Sequence, residues 1–202
     1  MDRPLVIKIG GSLLPHASEI IQVILREGQN ILILPGGGVF ADAVRGTDVQ
    51  GTAAHWMAIA GMEQYGWYLS TFGVKTTDIP FFSTEAQVLL PYQVFRHHDP
   101  LPHSWEITSD TISAWLADYL SADLLILKSI DHIRAGEQPL NHITTQIETN
   151  DLDPCFIPFI LSHAISGEII NGTVPERVAQ VLKGIPVTGT HFGTTIKRIK
   201  NE

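Results

Sequence analysis

The chain has 202 residues, of which 44% are hydrophobic and 17% charged, and its formal net charge is −8 at pH 7. That length and apolar share suit a single domain spanning residues 1–202, with a full core and no covalent staples. The acidic balance argues against a nucleic-acid scaffold, which would carry a clustered basic face. The lone cysteine, Cys155, excludes an internal disulfide and predicts a cytoplasmic protein. No run approaches the ~20 apolar residues of a membrane helix, and the opening Met1-Asp2-Arg3-Pro4 carries no leader-like segment.

Leu5–Ile9 is a continuous apolar run, the pattern of a strand buried on both faces. Its one charge, Lys8, needs a partner there. Gly10, Gly11 and Ser12 follow. Glycines after a strand let the backbone turn tightly and approach an anion, and the next helix N-terminus offers free N–H groups. An ordinary strand-to-helix turn with an edge lysine is the plain alternative. Neither a Walker A loop nor a G-x-G-x-x-G fingerprint is present. His16–Glu27 reads as a helix stopped by Gly28, and Ile31–Leu34 as a second strand. Pro35 then leads into Gly36, Gly37 and Gly38, a second nest of backbone amides that packing alone does not explain. Two such elbows at one sheet edge suit two anions brought together.

Val39–Arg45 begins a helix, and Thr52–Ser70 is a longer one. The latter carries Trp56, Met57, Met62, Tyr65, Trp67 and Tyr68, more large apolar residues than one buried face takes. This predicts a homodimer or larger homo-oligomer through that helix. His55 and Glu63 lie on it, either as core and interface groups or as substrate ligands. Pro80–Phe82 and Gln87–Leu90 read as short strands, and Phe95–Pro102 as a polar connection. His97, His98 and His103 have no cysteine partner and no H-E-x-x-H occurs, so no metal site is expected.

Thr108, Ser109 and Asp110 open a helix over Ser109–Leu120. They serve as its caps, or Asp110 holds lysines from inside a cleft, and the two roles are compatible. Leu124–Leu127 is a strand ending in Lys128, Ser129 and Asp131. Polar residues at a strand's carboxyl end fall where open α/β sheets bind ligands, although a solvated strand end has the same look. The polar stretch Arg134–Asn150 is expected to cover the site. Ile165–Ile170 is a strand, Pro175–Leu182 a helix opened by proline, and Thr194–Ile199 a closing edge strand. Strands alternating with helices predict an α/β fold, a three-layer sandwich with a mainly parallel central sheet.

Taken together, Lys8-Ile-Gly-Gly-Ser12, Pro35-Gly-Gly-Gly38, Thr108-Ser-Asp110, the strand to Asp131, Asn171-Gly-Thr-Val-Pro-Glu-Arg177 and Gly189-Thr190 resemble the amino acid kinase superfamily, in order and over nearly the whole chain. The resemblance implies transfer of the ATP γ-phosphoryl group to an oxygen of a carboxylate, phosphate or carbamate. It implies catalytic roles for Lys8, Asp110 and Lys128, with Asp110 orienting the lysines. ATP would meet Gly10, Gly11, Ser12, Ser129, Asp131, Asn171, Gly172 and Thr173. The acceptor would meet Gly36, Gly37, Gly38, His55, Thr108 and Ser109. Mg²⁺ would ride on the ATP phosphates, with few protein carboxylates. The segments Pro35–Arg45, Ala53–Met57, Gly61–Gly66 and Trp105–Leu116 most resemble a short subfamily of methanogens and methylotrophs that acts on aminomethylfuran-methyl phosphate in methanofuran biosynthesis. Asp42 stands near the place where isopentenyl phosphate kinases carry a histidine, which disfavours an isoprenoid. The usual Val-Asp-Gly reads Ile130-Asp131-His132. An amine on the acceptor would need an acidic partner, for which Asp42 and Glu63 are the candidates. A kinase of another small carboxylate or phosphate, or a non-catalytic nucleotide-binding regulator, is the alternative.

Overall fold

The computed structural model describes residues 4–193, so the expected closing strand Thr194–Ile199 lies outside the described residues. Eight strands form the main sheet: β1 (Leu5–Ile9), β2 (Ile31–Pro35), β3 (Lys75–Thr77), β4 (Gln87–Leu89), β5 (Asp123–Lys128), β8 (His142–Ile143), β9 (Gly167–Asn171) and β10 (Gly189–Phe192). Their order is β3-β4-β2-β1-β5-β9-β10-β8. All neighbours are parallel except β9 and β10. A separate hairpin joins β6 (Ile133–Ala135) to β7 (Gln138–Leu140). The helices are α1 (Ala17–Glu27), α2 (Gly38–Arg45), α3 (Gly51–Ser70), α4 (Pro91–His98), α5 (Ser109–Tyr119), α6 (Phe156–Ser162) and α7 (Pro175–Leu182).

The unbroken apolar run of β1 follows from its place. It pairs with β2 on one side and β5 on the other, and both of its faces are covered. Leu5, Ile7 and Ile9 join Ile33, Leu125 and Leu127 in a core with Ile20 and Ile24 of α1 and Val178 and Val181 of α7. Val6 joins Leu32, Leu34, Leu124 and Ile126 in a second core with Ile112 and Leu116 of α5 and Phe156 and Ile160 of α6. Helices on both faces of a mainly parallel sheet make the three-layer α/β sandwich.

Several local expectations are corrected. Pro80–Phe82 is not a strand: Ile79 and Phe81 are exposed, and the edge strand is Lys75–Thr77. Phe95–Pro102 is not a simple connection, because α4 starts at Pro91 and runs to His98 with Val94 and Phe95 buried. Proline at the first helical position loses no hydrogen bond, and the three basic residues of the last turn face the negative end of the helix dipole. No local pattern announces α6, because Pro158 interrupts its apolar spacing. Pro158 falls in the helix's first turn, where the missing N–H costs little. The stretch Arg134–Asn150 contributes the β6–β7 hairpin and β8, and only its end reaches the site described below. In α3, Ile59 and Met62 enter one core and Tyr65 and Leu69 the other, while Trp56 and Tyr68 pack half-buried against these cores. Only Met57 and Trp67 of the six large residues are exposed. Among the described residues no helix is long and apolar enough to cross a membrane.

Two carboxylates, Asp123 of β5 and Glu168 of β9, are buried in the sheet away from its carboxyl ends. Glu168 of β9 is buried, with His191 Nδ1 3.4 Å away. Burial pushes its carboxyl up to about 7, and Asp123 adds to the shift. A raised carboxyl pKa favours the fold while the group is protonated, so its contribution is present below the ordinary glutamate range and is lost as pH rises through 7. Glu168→Gln should therefore match wild type at pH 4 and be more stable by roughly 1–3 kcal/mol at pH 8, as measured by urea unfolding at the two pH values.

Candidate active site

A strand's two-residue period sends Val6 and Lys8 to one side of β1, and Leu124, Ile126 and Lys128 to the same side of β5. The helix α5 packs on that side and brings Asp110, in its first turn, between the two ammonium groups. Lys8 Nζ donates to Asp110 Oδ1 at 2.7 Å and Lys128 Nζ to Asp110 Oδ2 at 2.8 Å. Lys8 and Asp110 are buried and Lys128 half-buried. Burial opposes the charge on Asp110, but the two lysines outweigh it and hold the carboxyl down at about 2. For Lys8 burial is the larger influence and Lys128 adds to it, so its pKa falls below the ordinary lysine range against the pull of Asp110. Lys128 Nζ also donates to the Asp151 carbonyl at 2.6 Å.

The two glycine elbows meet beside this cluster. A Cβ on Gly11 would lie 2.1 Å from the Gly38 Cα, and Gly38 takes a φ of +51°. Side chains at either position would drive the elbows apart. The 3₁₀ segment Gly11–His16 and α2 thus start against each other, and the first N–H groups of each have no partner within their own helix.

Two cavities flank the lysines. One is walled by Lys8, Gly11, Gly37, Gly38, Thr108, Ser109, Asp110 and Lys128, with Arg45, His55, Trp105 and the apolar Ala58, Ile59, Met62, Ile107 and Ile112. The other is walled by Lys8, Gly10, Gly11, Ser12, Lys128, Ser129, Asn150 and Asp151. Lys8, Gly11 and Lys128 belong to both.

The structure separates the remaining sequence candidates. Gly172 N donates to the Lys128 carbonyl at 2.8 Å, and Asn171 Nδ2 to Asp131 Oδ1 at 3.0 Å. Thr173 donates to Asn171 Oδ1 from both its N and its Oγ1, and Arg177 pairs with Asp131. These four candidates form a bonded cluster at the end of β5 and β9 rather than cavity wall. Gly36 is buried, its N donating to Ile9 O at 2.8 Å, and it does not line the first cavity. Asp42 and Glu63 must also be corrected. Asp42 is exposed and pairs with Arg45 at 2.6 Å, while Glu63 Oε2 accepts the Tyr92 N–H at 2.9 Å in the first turn of α4. Neither lines the cavity. The helix spacing of each turns its carboxylate to another partner.

The cap of α5 is also not where local sequence puts it. Thr108 makes no side-chain cap bond. Asp153, buried, accepts from Thr108 N at 2.9 Å, Thr108 Oγ1 at 2.9 Å and Thr111 N at 3.0 Å, and from Thr111 Oγ1 as well. Asp151 and Asp153 therefore tie one short segment both to Lys128 and to the helix that carries Asp110. Sequence reading missed Asp153, as it missed Arg45 and Trp105. No local pattern marks a cap supplied from beyond the next strand.

His55, Asp99 and His103 bring ligand-type atoms within 4.8 Å of one another, a grouping the sequence did not suggest. The rings of His55 and His103 stack at 4.1 Å with planes 19° apart. Both nitrogens of His103 are engaged, Nδ1 with Thr52 Oγ1 at 3.0 Å and Nε2 with Asp99 Oδ1 at 2.8 Å. Stacked rings cannot aim two in-plane lone pairs at one ion, so the group as it stands is a hydrogen-bonded stack. Burial and His103 lower the pKa of His55 to about 4, which leaves it neutral at the cavity wall.

The amino acid kinase family model matches residues 3–171. The chain is 28% identical over 201 residues to the [5-(aminomethyl)furan-3-yl]methyl phosphate kinase of Methanocaldococcus jannaschii, covering 89% of this chain and 93% of that protein. Among solved structures it resembles a uridylate kinase from Archaeoglobus fulgidus, with a TM-score of 0.67, 16% identity and coverage of 94% of this chain and 100% of that one. It also resembles an isopentenyl phosphate kinase in a substrate complex, with a TM-score of 0.61, 17% identity and coverage of 94% and 99%. At such identities the two structures speak to the fold.

Asp153→Ala should strip the α5 N-terminus of its cap and leave buried donors unpaired. A loss of ~2–4 kcal/mol in urea unfolding is expected, with Asp153→Asn falling between it and wild type.

Proposed function

The chain belongs to the amino acid kinase family, and on that premise we propose that it is a single-domain kinase that transfers the γ-phosphoryl group of ATP to a small phosphate monoester, giving a diphosphate, with aminomethylfuran-methyl phosphate as the acceptor. The observation that carries this reading is the shared wall: Lys8, Gly11 and Lys128 line both cavities, with Asp110, in the wall of the first, bonded to both lysines. Donor and acceptor are both anions, so the central obstacle is their repulsion. In phosphoryl transfer a protein mainly positions groups and stabilises spread charge. Two ammonium groups on one fixed carboxylate, set between two anion sites, do both.

The ATP phosphates fit the second cavity, where the crowded glycines at Gly10 and Gly11 leave backbone open to close approach. The cluster of Asp131, Asn171, Gly172 and Thr173 supports the nucleotide side through Lys128 and the end of β5. The acceptor phosphate belongs at Gly37 and Gly38, with Thr108, Ser109 and His55 around it. Mg²⁺ belongs with the phosphates: both Asp110 oxygens are taken by lysines and Asp151 Oδ2 by Arg134 N. When bound it would neutralise phosphate charge. A general base is not needed, because a phosphate-monoester oxygen is already ionised near neutral pH. We further propose a cytoplasmic homodimer through α3, supported by its exposed Met57 and Trp67.

The methanofuran-type acceptor is supported by the similarity to the archaeal relative named above and by its coverage of nearly both chains. The apolar wall of Ala58, Ile59, Met62, Ile107 and Ile112 also suits a short hydrocarbon tail, so isopentenyl phosphate is the competing acceptor. ADP release with aminomethylfuran-methyl phosphate, isopentenyl phosphate and UMP separates them. The furan ester should have the highest kcat/KM, and a higher value for either competitor would overturn the assignment. Lys8→Ala should lower kcat by roughly 10²–10³ with ATP binding largely retained. Turnover above half of wild type would remove Lys8 from the chemistry.

A further inference from the structure

A zwitterionic acceptor needs an anion as well as a phosphate site, and the first cavity is poor in anions. Among the described residues Asp110 is the one carboxylate in its wall, and each of its oxygens holds a lysine. Asp42 and Glu63 are turned elsewhere, as described above.

A further cavity adjoins the first. Gly51, Ser104 and Trp105 line both, and the outer one adds Gln50, His103 and Glu106. The loop turns sharply here, with the Glu106 N–H donating to Ser104 Oγ at 3.1 Å. His103 already uses both ring nitrogens. Among the described residues no hydrogen bond or ion pair engages the Glu106 carboxylate, so it remains open to a charged donor. Trp105 stands between the two spaces, and the Arg45 guanidinium lies 4.8 Å from its ring centroid. Charge therefore changes sign along the connected space. Lys8, Lys128 and Arg45 lie at the inner cavity and Glu106 at the outer one, with an aromatic partition between them.

We propose that Glu106 determines acceptor specificity by receiving a cationic group on the acceptor, while the phosphate lies at Gly37 and Gly38 and a flat ring lies along Trp105. The ligand class is a small aromatic phosphate ester bearing an amine. This rests on the kinase reading above and names the residue that selects within it. Because Glu106 is exposed at the loop surface, its replacement leaves the core untouched.

The test compares aminomethylfuran-methyl phosphate with its hydroxymethyl counterpart, which lacks the ammonium. Wild type should prefer the amine. Glu106→Gln should raise KM for the amine roughly three- to fivefold, the upper end for one solvent-accessible charge pair. The hydroxymethyl ester, the ATP KM and kcat should change less than about twofold. Glu106→Lys should abolish the preference, and Asp42→Asn should preserve it. An unchanged amine preference in Glu106→Gln and Glu106→Lys would overturn the role of Glu106 and leave the kinase reading standing. Equal wild-type kcat/KM for the two esters would do the same. Failure of wild type to release ADP with any phosphate monoester would instead overturn the kinase reading, and this inference with it.

Discussion

Three charges meet where water is scarce, and the rest of the site depends on that meeting. An isolated buried ammonium or carboxylate is strongly disfavoured. Here Asp110 gives one oxygen to Lys8 and the other to Lys128. Each lysine lowers the cost of burying the carboxylate, and the carboxylate holds both lysines in one geometry. The cluster keeps a net positive charge between two cavities. Breaking such a group from one side leaves an uncompensated buried charge, which costs more than the intact group contributes. The arrangement is thus better understood as positioning for anions than as a source of stability.

The fold supplies that geometry from unrelated parts of the chain. Parallel pairing of β1 and β5 puts Lys8 beside Ile126 and Lys128 one pleat further on, both toward α5. Asp153 caps α5 and Asp151 receives Lys128, so one segment controls both sides of the cluster. The elbows touch at Gly11 and Gly38, where a single Cβ would separate them. Substituting any of these affects several distances together, because each element contacts two others at the site.

Specificity is carried at the rim rather than at the cluster. The inner wall combines backbone, lysines and apolar side chains, which suit a phosphate with a small neutral body. Trp105, Arg45, His103 and Glu106 surround the way out. They lie on α2 and on the loop before α5, outside the central sheet. A scaffold of this kind can keep one chemistry and change its acceptor by altering loop residues.

Much of this was legible in the chain itself. Apolar runs ending in glycine identified β1 and β2, because a strand covered on both faces has no need to alternate. A lone lysine in such a run announced that a partner must exist, and Lys128 and Asp110 could be named from their own strand end and helix start. Sequence could not say which carboxylate faces which space. Asp42 and Glu63 look available in one dimension, yet Asp42 pairs with Arg45 and Glu63 binds the Tyr92 N–H. Glu106 and Asp153 drew no notice, because a carboxylate's role depends on what lies across from it. Local order follows from periodicity and backbone chemistry, which neighbours in sequence decide. The direction of a charged side chain follows from partners tens of residues away, which only the packed sheet and helices bring within reach.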